Sequence, residues 1–134
     1  MNVLVDTSVW SMALRRKGGT DHPAVGALAD LIRDGRAAIV GPIRQELLSG
    51  IRHRADFDRL RERLRDFPDL PVGTEDHERA AEHFNTCRAK GIQGSNTDFL
   101  LCAIAERYHV SILTTDVDFR AFARVLPIQL HRTS

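Results

Sequence analysis

The sequence predicts an α/β protein, a three-layer α/β/α sandwich around a central, mostly parallel sheet. Two short apolar runs, 2–5 and 111–115, predict buried parallel strands, and each ends directly on an aspartate, Asp6 or Asp116. Helical patterns alternate with such runs along the chain, as in sheets covered by helices on both faces. Ligands bind outside the carboxyl ends of the strands in such sheets, so the two strand-terminal carboxylates predict a site there.

The length and composition predict one domain over residues 1–134. A chain with 43% hydrophobic and 28% charged residues and a net charge of +1 is typical of soluble globular proteins. No apolar stretch approaches the roughly 20 residues that cross a bilayer, and Met1 leads directly into the first apolar run. We therefore expect no membrane contact and a cytoplasmic location. Cys87 and Cys102 are expected to be reduced and partly buried.

Apolar periodicity and breaker residues predict the individual elements. Strands are predicted, in order, at 3–5, 37–40, 111–115 and around 128–130. Helices are predicted around 9–14 and over 23–32, 42–48, 51–65, 75–90, 97–108 and 118–124. Thr20 or Asp21 caps the second helix, which has Pro23 in its first turn, and Gly91 ends the fifth. Pro71 makes the 70–72 segment a short connection or a strand outside the centre of the sheet.

Four acidic residues occupy positions that favour a shared site. Asp6 and Asp116 follow strands, and Asp98 lies in the first turn of a predicted helix, on its apolar side. Glu46 lies three residues after Ile43 and is expected close to the buried face of its helix. A carboxylate on an apolar face is uncommon unless it is paired or bound to a metal. Each acid alone also fits a cap, a turn or a snorkelling side chain, so the prediction depends on the combination.

Converging carboxylates predict a hard divalent cation, because they repel one another at neutral pH unless a cation lies between them. Asp118 either caps the following helix or adds a fifth carboxylate to the edge of this site. Ser8 and Thr114 carry hydroxyls beside the acids. These hydroxyls either orient the acids or serve as ordinary strand-end and cap residues.

Four segments spread over essentially the whole chain carry a family resemblance: 5–10 (VDTSVW), 45–47 (QEL), 96–105 (NTDFLLCAIA) and 113–119 (LTTDVDF). In this order and spacing they resemble the PIN-domain nucleases. The length and the order of the acids look most like the VapC-type toxins of type II toxin–antitoxin pairs. The resemblance implies a PIN-like fold and a metal-dependent endoribonuclease that hydrolyses RNA phosphodiester bonds.

The resemblance also assigns roles to individual residues. Asp6, Glu46, Asp98 and Asp116 match the acidic quartet of the family and are expected to be catalytic. Asp6, Asp98 and Asp116 are expected to bind Mg²⁺ or Mn²⁺, with Glu46 and Asp118 contributing through water. Such ions retain several waters and bridge to phosphate oxygens.

The resemblance implies three partners: an RNA substrate, a cognate antitoxin protein and a second copy in a homodimer. Apolar residues beyond the needs of one inward stripe predict an antitoxin groove, although core packing explains some of them: Trp10, Met12, Leu47, Leu48 and Ile51. The arginine-rich stretch supplies candidates for the RNA backbone: Arg52, Arg54, Arg59 and Arg61. Asp56, Asp58 and Glu62 alternate with these arginines, so the stretch equally fits a solvated helix face.

The main alternative is a non-catalytic PIN-like protein-binding module, and the complete acidic quartet argues against it. A phosphoacceptor receiver domain needs an acidic pair after the first strand, a middle strand ending on aspartate and a late lysine. Here Thr7 follows Asp6, the middle run ends at Gly41, and the last lysine is Lys90. A haloacid-dehalogenase-type phosphatase needs a second aspartate where Ser8 stands.

Overall fold

The computed structural model describes residues 1–15 and 22–133. These ranges contain three strands: β1 (Val3–Val5), β2 (Ala37–Ala38) and β3 (Ser111–Leu113). They also contain seven helices: α1 (Thr7–Arg15), α2 (Pro23–Arg33), α3 (Gly41–Leu48), α4 (Arg54–Leu64), α5 (Thr74–Ala89), α6 (Asn96–Tyr108) and α7 (Asp118–Val125). The described strands are all parallel, in the order β2-β1-β3, which confirms the predicted α/β class.

β1 is the central strand and fixes the register of the sheet. Val3 pairs with Ser111 of β3, and Val5 pairs with Leu113. Every residue of β1 and β2 is buried, as expected for parallel strands covered by helices on both faces. Because β1 and β3 end level with each other, Asp6 lies beside the residues that follow β3.

The helices form two packed groups around the sheet. α1 and α2 connect β1 to β2 and pack against each other, whereas α5 packs against α6 and α7, and α6 contacts β3. The largest fully buried side chains include Trp10, Phe99, Phe119 and Phe122, which come from both groups. Cys87 and Cys102 are free thiols, as predicted, but both are fully buried and not partly buried. None of the described helices has the length and apolar character needed to cross a bilayer.

The second strand is shorter than the predicted 37–40. Beyond β2, Ile39 forms an isolated parallel bridge with Asp69, and its carbonyl accepts the N–H of Leu70 at 2.9 Å. The 70–72 segment is therefore a connection that touches the edge of the sheet, which is one of its two predicted forms.

The prediction of a final strand around 128–130 is wrong. Only one bridge forms there, between Leu130 and Ile112 of β3, and Ile112 hydrogen-bonds Gln129 and His131 on either side of it. Before the bridge, the Val110 N–H donates to a carbonyl at the end of α6 at 3.1 Å and is not free to pair with this segment, so the ladder does not extend backwards.

Helix ends follow local backbone chemistry. Lys90 follows α5, and Gly91 then adopts φ +76°, the left-handed conformation expected at a glycine-ended helix. His22 is the N-cap of α2, and its Nδ1 accepts the N–H of Ala24 at 3.0 Å. The predicted caps of this helix, Thr20 and Asp21, lie outside the described residues.

Trp10 belongs to the core, not to a partner groove. Its side chain is 0% exposed, its indole N–H donates to the Val5 carbonyl at 3.1 Å, and its ring meets the edge of Phe67. Leu47 is also 0% exposed, so the prediction that Trp10 and Leu47 line an antitoxin groove is wrong. The remaining members of the predicted groove are half-buried: Met12, Leu48 and Ile51.

Trp10→Ala is expected to lower the free energy of unfolding by about 3–5 kcal/mol, because it leaves a cavity between α1 and β1 and an unpaired Val5 carbonyl. Urea unfolding followed by circular dichroism measures the loss. Ile32→Ala, at a side chain that is 42% exposed, is the control and is expected to cost less than about 1 kcal/mol. Equal losses in the two variants contradict the assignment of Trp10 to the core.

Candidate active site

Asp6 is a nearly buried carboxylate at the carboxyl end of β1, with 8% of its surface exposed. Its backbone N–H extends the β1–β3 ladder by donating to the Leu113 carbonyl at 2.9 Å. Its Oδ1 accepts the N–H of Thr7 at 2.8 Å, and its Oδ2 accepts the hydroxyls of Ser8 at 3.0 Å and Thr114 at 2.8 Å. These three donors compensate the charge for lost water and fix the orientation of the carboxylate.

The same two hydroxyls hold the loop that follows β3. Ser8 Oγ accepts the N–H of Thr115 at 3.2 Å, and Thr114 Oγ1 accepts the N–H of Asp116 at 3.0 Å. Ser8 and Thr114 therefore join Asp6 to the backbone that carries Asp116. These contacts are those expected of hydroxyls that orient the acids.

Asp98 is the third residue of α6 and takes part in its N-terminal capping box. Its N–H donates to Ser95 Oγ at 3.1 Å, and its Oδ2 accepts the N–H of Ser95 at 3.1 Å. The carboxylate is half-buried, and the next residue, Phe99, is fully buried in the core. The cap and the core together hold the Asp98 carboxylate at the N-terminus of the helix.

Gly94 lets the loop before α6 approach the aromatic core. A Cβ at this position would lie 2.6 Å from Phe122 Cζ and 3.0 Å from two ring atoms of Phe99. Both rings are buried, with centroids 4.9 Å apart, so neither moves aside freely. The sequence indicates Gly94 only as a turn residue, whereas the structure requires a missing side chain next to Ser95, the cap of the helix that carries Asp98.

Asp6, Asp98 and Asp116 lie close enough to repel one another. Burial raises the pKa of Asp6 above its usual range, hydrogen bonds oppose this effect, and repulsion from Asp116 adds to it. Burial also raises the pKa of Asp98, to which repulsion from Asp6 and Asp116 adds, while its bonds to Ser95 act in the opposite direction. Such a group of carboxylates favours a bound cation or a proton at its centre.

Glu46 is exposed, so the prediction that it faces the buried side of its helix is wrong. The inward stripe of α3 runs through Leu47, and Glu46 lies at its border. Glu46 Oε2 accepts the Thr7 hydroxyl at 2.9 Å, and the Thr7 N–H binds Asp6. Thr7 therefore links Glu46 to the other acids. The sequence analysis did not predict this link. The only sign of it in the sequence is that Thr7 directly follows Asp6.

Asp116, not Asp118, accepts the free N–H groups at the start of α7. Asp116 Oδ1 accepts the N–H of Asp118 at 2.9 Å, and the Asp116 carbonyl accepts the N–H of Phe119 at 3.2 Å. The alternative in which Asp118 caps this helix is therefore wrong. Asp118 is exposed at the edge of the site, beside Val117, whose side chain is 65% exposed.

The arginine-rich helix pairs much of its charge within itself. Arg54 and Arg61 contact Asp58 at 3.0 and 3.4 Å, and Arg59 pairs with an aspartate one turn away. Three of the four candidates for the RNA backbone thus already have carboxylate partners, and Arg52 lies exposed before the helix. This pattern favours the solvated-face interpretation of α4.

The donor set of the acidic site fits a hard ion with a large water shell. Within the described residues, no three His, Cys, Asp or Glu side chains lie close enough to hold a metal ion as they stand. Mg²⁺ keeps several waters and needs one or two protein carboxylates, so loosely converging acids suit it. Closed sites for zinc use nitrogen and sulfur ligands instead.

Comparison with known proteins decides the family. The PIN domain matches residues 3–125. The chain belongs to the PIN domain family. VapC ribonuclease Mb1587 of Mycobacterium bovis and Ribonuclease VapC11 of Mycobacterium tuberculosis are each 30% identical to this PIN domain over 129 residues, which is 95% of this chain and 96% of each relative. These relatives place it with the VapC ribonucleases.

Solved structures share the PIN fold over nearly the whole chain. FitAcB from Neisseria gonorrhoeae has a TM-score of 0.76 at 20% identity, and the match covers 98% of this chain and 97% of the FitAcB chain. VapBC2 from Rickettsia felis, bound to a promoter DNA fragment, has a TM-score of 0.76 at 16% identity, with 98% of both chains covered. VapBC-5 from Mycobacterium tuberculosis, of the VapBC toxin–antitoxin family, has a TM-score of 0.71 at 22% identity, again with 98% of both chains covered. These likenesses confirm the predicted fold class.

Gly94→Ala is expected to cost about 1–3 kcal/mol of unfolding free energy, because the new methyl group overlaps the Phe122 ring. Gly26→Ala is the matched control, since nothing lies within 4 Å of a Cβ there. As a helical position, it is expected to gain up to about 1 kcal/mol. Chemical denaturation measures both variants, and a Gly94→Ala protein as stable as wild type refutes the close-packing argument.

Asp98→Asn is expected to be more stable than wild type near neutral pH in the presence of a chelator. The raised folded-state pKa of Asp98 means that ionisation opposes folding, and this penalty is absent below the unfolded pKa, where both states are protonated. The advantage of the variant therefore appears as pH rises through the folded-state pKa of Asp98. Denaturation across this pH range measures it, with Asp30→Asn in an exposed pair with Arg33 as the control. Greater wild-type stability at neutral pH runs against the repulsion described here.

Proposed function

We propose that this chain is a metal-dependent endoribonuclease and the toxin of a toxin–antitoxin pair. The observation that carries the proposal is the meeting of Asp6, Asp98 and Asp116 at one edge of the sheet, where they repel one another. The family supports the nuclease assignment, because relatives aligned over nearly the full length are named ribonucleases. The neighbouring VapBC structures support the toxin assignment.

In this proposal Asp6, Asp98 and Asp116 bind Mg²⁺ or Mn²⁺ together with the ion's own waters, and Glu46 and Asp118 contribute through water. The support is chemical: the converging donors are hard carboxylate oxygens whose mutual repulsion a divalent ion relieves. When bound, such an ion supplies a water of lowered pKa and neutralises charge on the scissile phosphodiester.

The side chains around the acids prepare this site. Thr7, Ser8 and Thr114 hold Asp6 in one orientation, so little reorganisation is needed when RNA arrives. Thr7 also holds Glu46 at the border of the site. The N-terminus of α6 lies at the same edge, where its partial positive charge favours an anionic phosphate.

The partners follow from the same proposal. RNA is the substrate, and Arg52 is the described arginine of the predicted set that we assign to the phosphate backbone. A cognate antitoxin and a second copy of the chain complete the assembly, which we place in the cytoplasm. Met12, Leu48 and Ile51, half-buried on and after α1 and α3, remain the candidate contacts for the antitoxin.

Asp98→Asn is expected to reduce RNA cleavage by about 10²–10³-fold or more, because it removes a charged ligand without changing side-chain volume. Cleavage of a fluorophore-labelled single-stranded RNA with Mn²⁺ measures the loss, and a chelator is expected to abolish wild-type activity until Mn²⁺ is restored. Asp30→Asn, at an exposed acid of α2, is the control and is expected to retain full activity.

Two outcomes count against the proposal, and they differ in meaning. Wild-type cleavage rates in a folded Asp98→Asn protein contradict the assignment of the metal site. A wild-type protein that binds RNA but does not cut it with either metal favours the non-catalytic binding module.

A further inference from the structure

A groove of about 420 Å³ lies between α5 and the first turn of α6. Its α5 wall is a single helical stripe: His77, Ala80, Ala81, Phe84 and Asn85. The small side chains of Ala80 and Ala81 leave a space between the His77 imidazole and the Phe84 ring. This space is the body of the groove. None of these residues has a role in the acidic site or in the core contacts described above, apart from Phe84, whose ring meets the edge of Phe99.

The groove adjoins the cleft at Glu46, on the border of the acidic site. Pro42 and Thr97 line it, and the same two residues line the adjoining cleft of about 400 Å³ that contains Glu46. Thr97 directly precedes Asp98 in the chain. A strand bound across the acids therefore has its neighbouring nucleotide at the mouth of this groove.

Polar contacts with buried partners on α5 hold the two walls together. Arg107 of α6 binds Asp76 of α5 at 2.8 Å, and Asp76 is 3% exposed. Glu106 Oε1 lies 2.9 Å from the buried His83 ring and accepts a hydrogen bond from Arg79 at 3.0 Å. Because these contacts fix α5 against α6, the groove is formed before any ligand binds.

The lining suits a flat, uncharged ring with a polar edge. None of the nine residues that line the groove is acidic, and none is an arginine or lysine, so the walls themselves offer neither a carboxylate to a metal ion nor a cation to a phosphate. Phe84 supplies an aromatic surface, and the Arg88 guanidinium lies over the ring, 5.6 Å from its centroid. The side-chain amides of Asn85 and Asn96 supply both donors and acceptors. Unpaired nucleobases are recognised by this combination of stacking and edge hydrogen bonds.

We propose that the groove binds one nucleobase of the RNA strand, next to the phosphodiester at the acidic site, and so sets the sequence preference of cleavage. The inference rests on the proposed function, because the acidic site defines which phosphodiester is cut. Phe84, Asn85 and Asn96 contact the base, and the base occupies the space beside the small side chain of Ala81.

The test compares three variants on an RNA pool with randomised positions around a single cut site, with sequencing of the cleaved ends. Ala81→Leu fills the groove at an exposed helical position where leucine is well tolerated, and Asn85→Ala removes an edge contact. Ala89→Leu is the matched control, an exposed alanine of α5 outside the groove. Wild type and Ala89→Leu are expected to share a preference at one position beside the cut. Ala81→Leu and Asn85→Ala are expected to weaken it about tenfold.

The outcomes separate this inference from the proposed function. A wild-type protein that cuts no RNA overturns both. A wild-type protein that cuts with no preference, or with one that Ala81→Leu leaves unchanged, overturns the nucleobase site alone. Light scattering on the same samples tests whether a second copy of the chain occupies the groove instead. If Ala81→Leu converts a dimer to a monomer without changing the cleavage preference, a second copy covers the groove and the inference is wrong.

Discussion

Asp6 places a carboxylate at the carboxyl end of the central strand, at a point where water hardly reaches it. The cost of burying that charge is offset by the Thr7 N–H and by the hydroxyls of Ser8 and Thr114. The same hydroxyls fix the loop after β3, and the Thr7 hydroxyl fixes Glu46. The positions of Asp116 and Glu46 at the acidic edge thus depend on the contacts that satisfy one buried aspartate.

The parts of the fold that follow from strong local signals were predictable. Apolar runs ending on Asp6 and Asp116 marked β1 and β3, and apolar periodicity with Gly91 marked the long helix α5. The prediction of a final strand failed because a strand there depends on long-range pairing, which amounts to one bridge between Ile112 and Leu130. Edge pairing of this kind leaves little trace in local sequence.

The sequence indicated the acids and the two hydroxyls beside them, Ser8 and Thr114, but not the other contacts that support the site. Strand-terminal and first-turn positions identified three carboxylates, because parallel strands end at one edge. The exposure of Glu46 and the link through Thr7 depend on how α3 is rotated against α1, which spacing alone does not determine. The need for Gly94 comes from two aromatic rings, Phe99 and Phe122, that lie beyond the loop in sequence. Packing between distant segments set each of these features.

Anomalous diffraction from crystals soaked in Mn²⁺ tests the central claim most directly, because it locates the ion without relying on activity. The account predicts one strong peak at coordination distance, about 2.0–2.3 Å, from a carboxylate oxygen of Asp98 and from at least one of Asp6 and Asp116. The same soak of Asp98→Asn crystals provides the comparison, and the peak should weaken or vanish there. No peak at saturating Mn²⁺, or a peak bound only by residues away from this edge, contradicts the account.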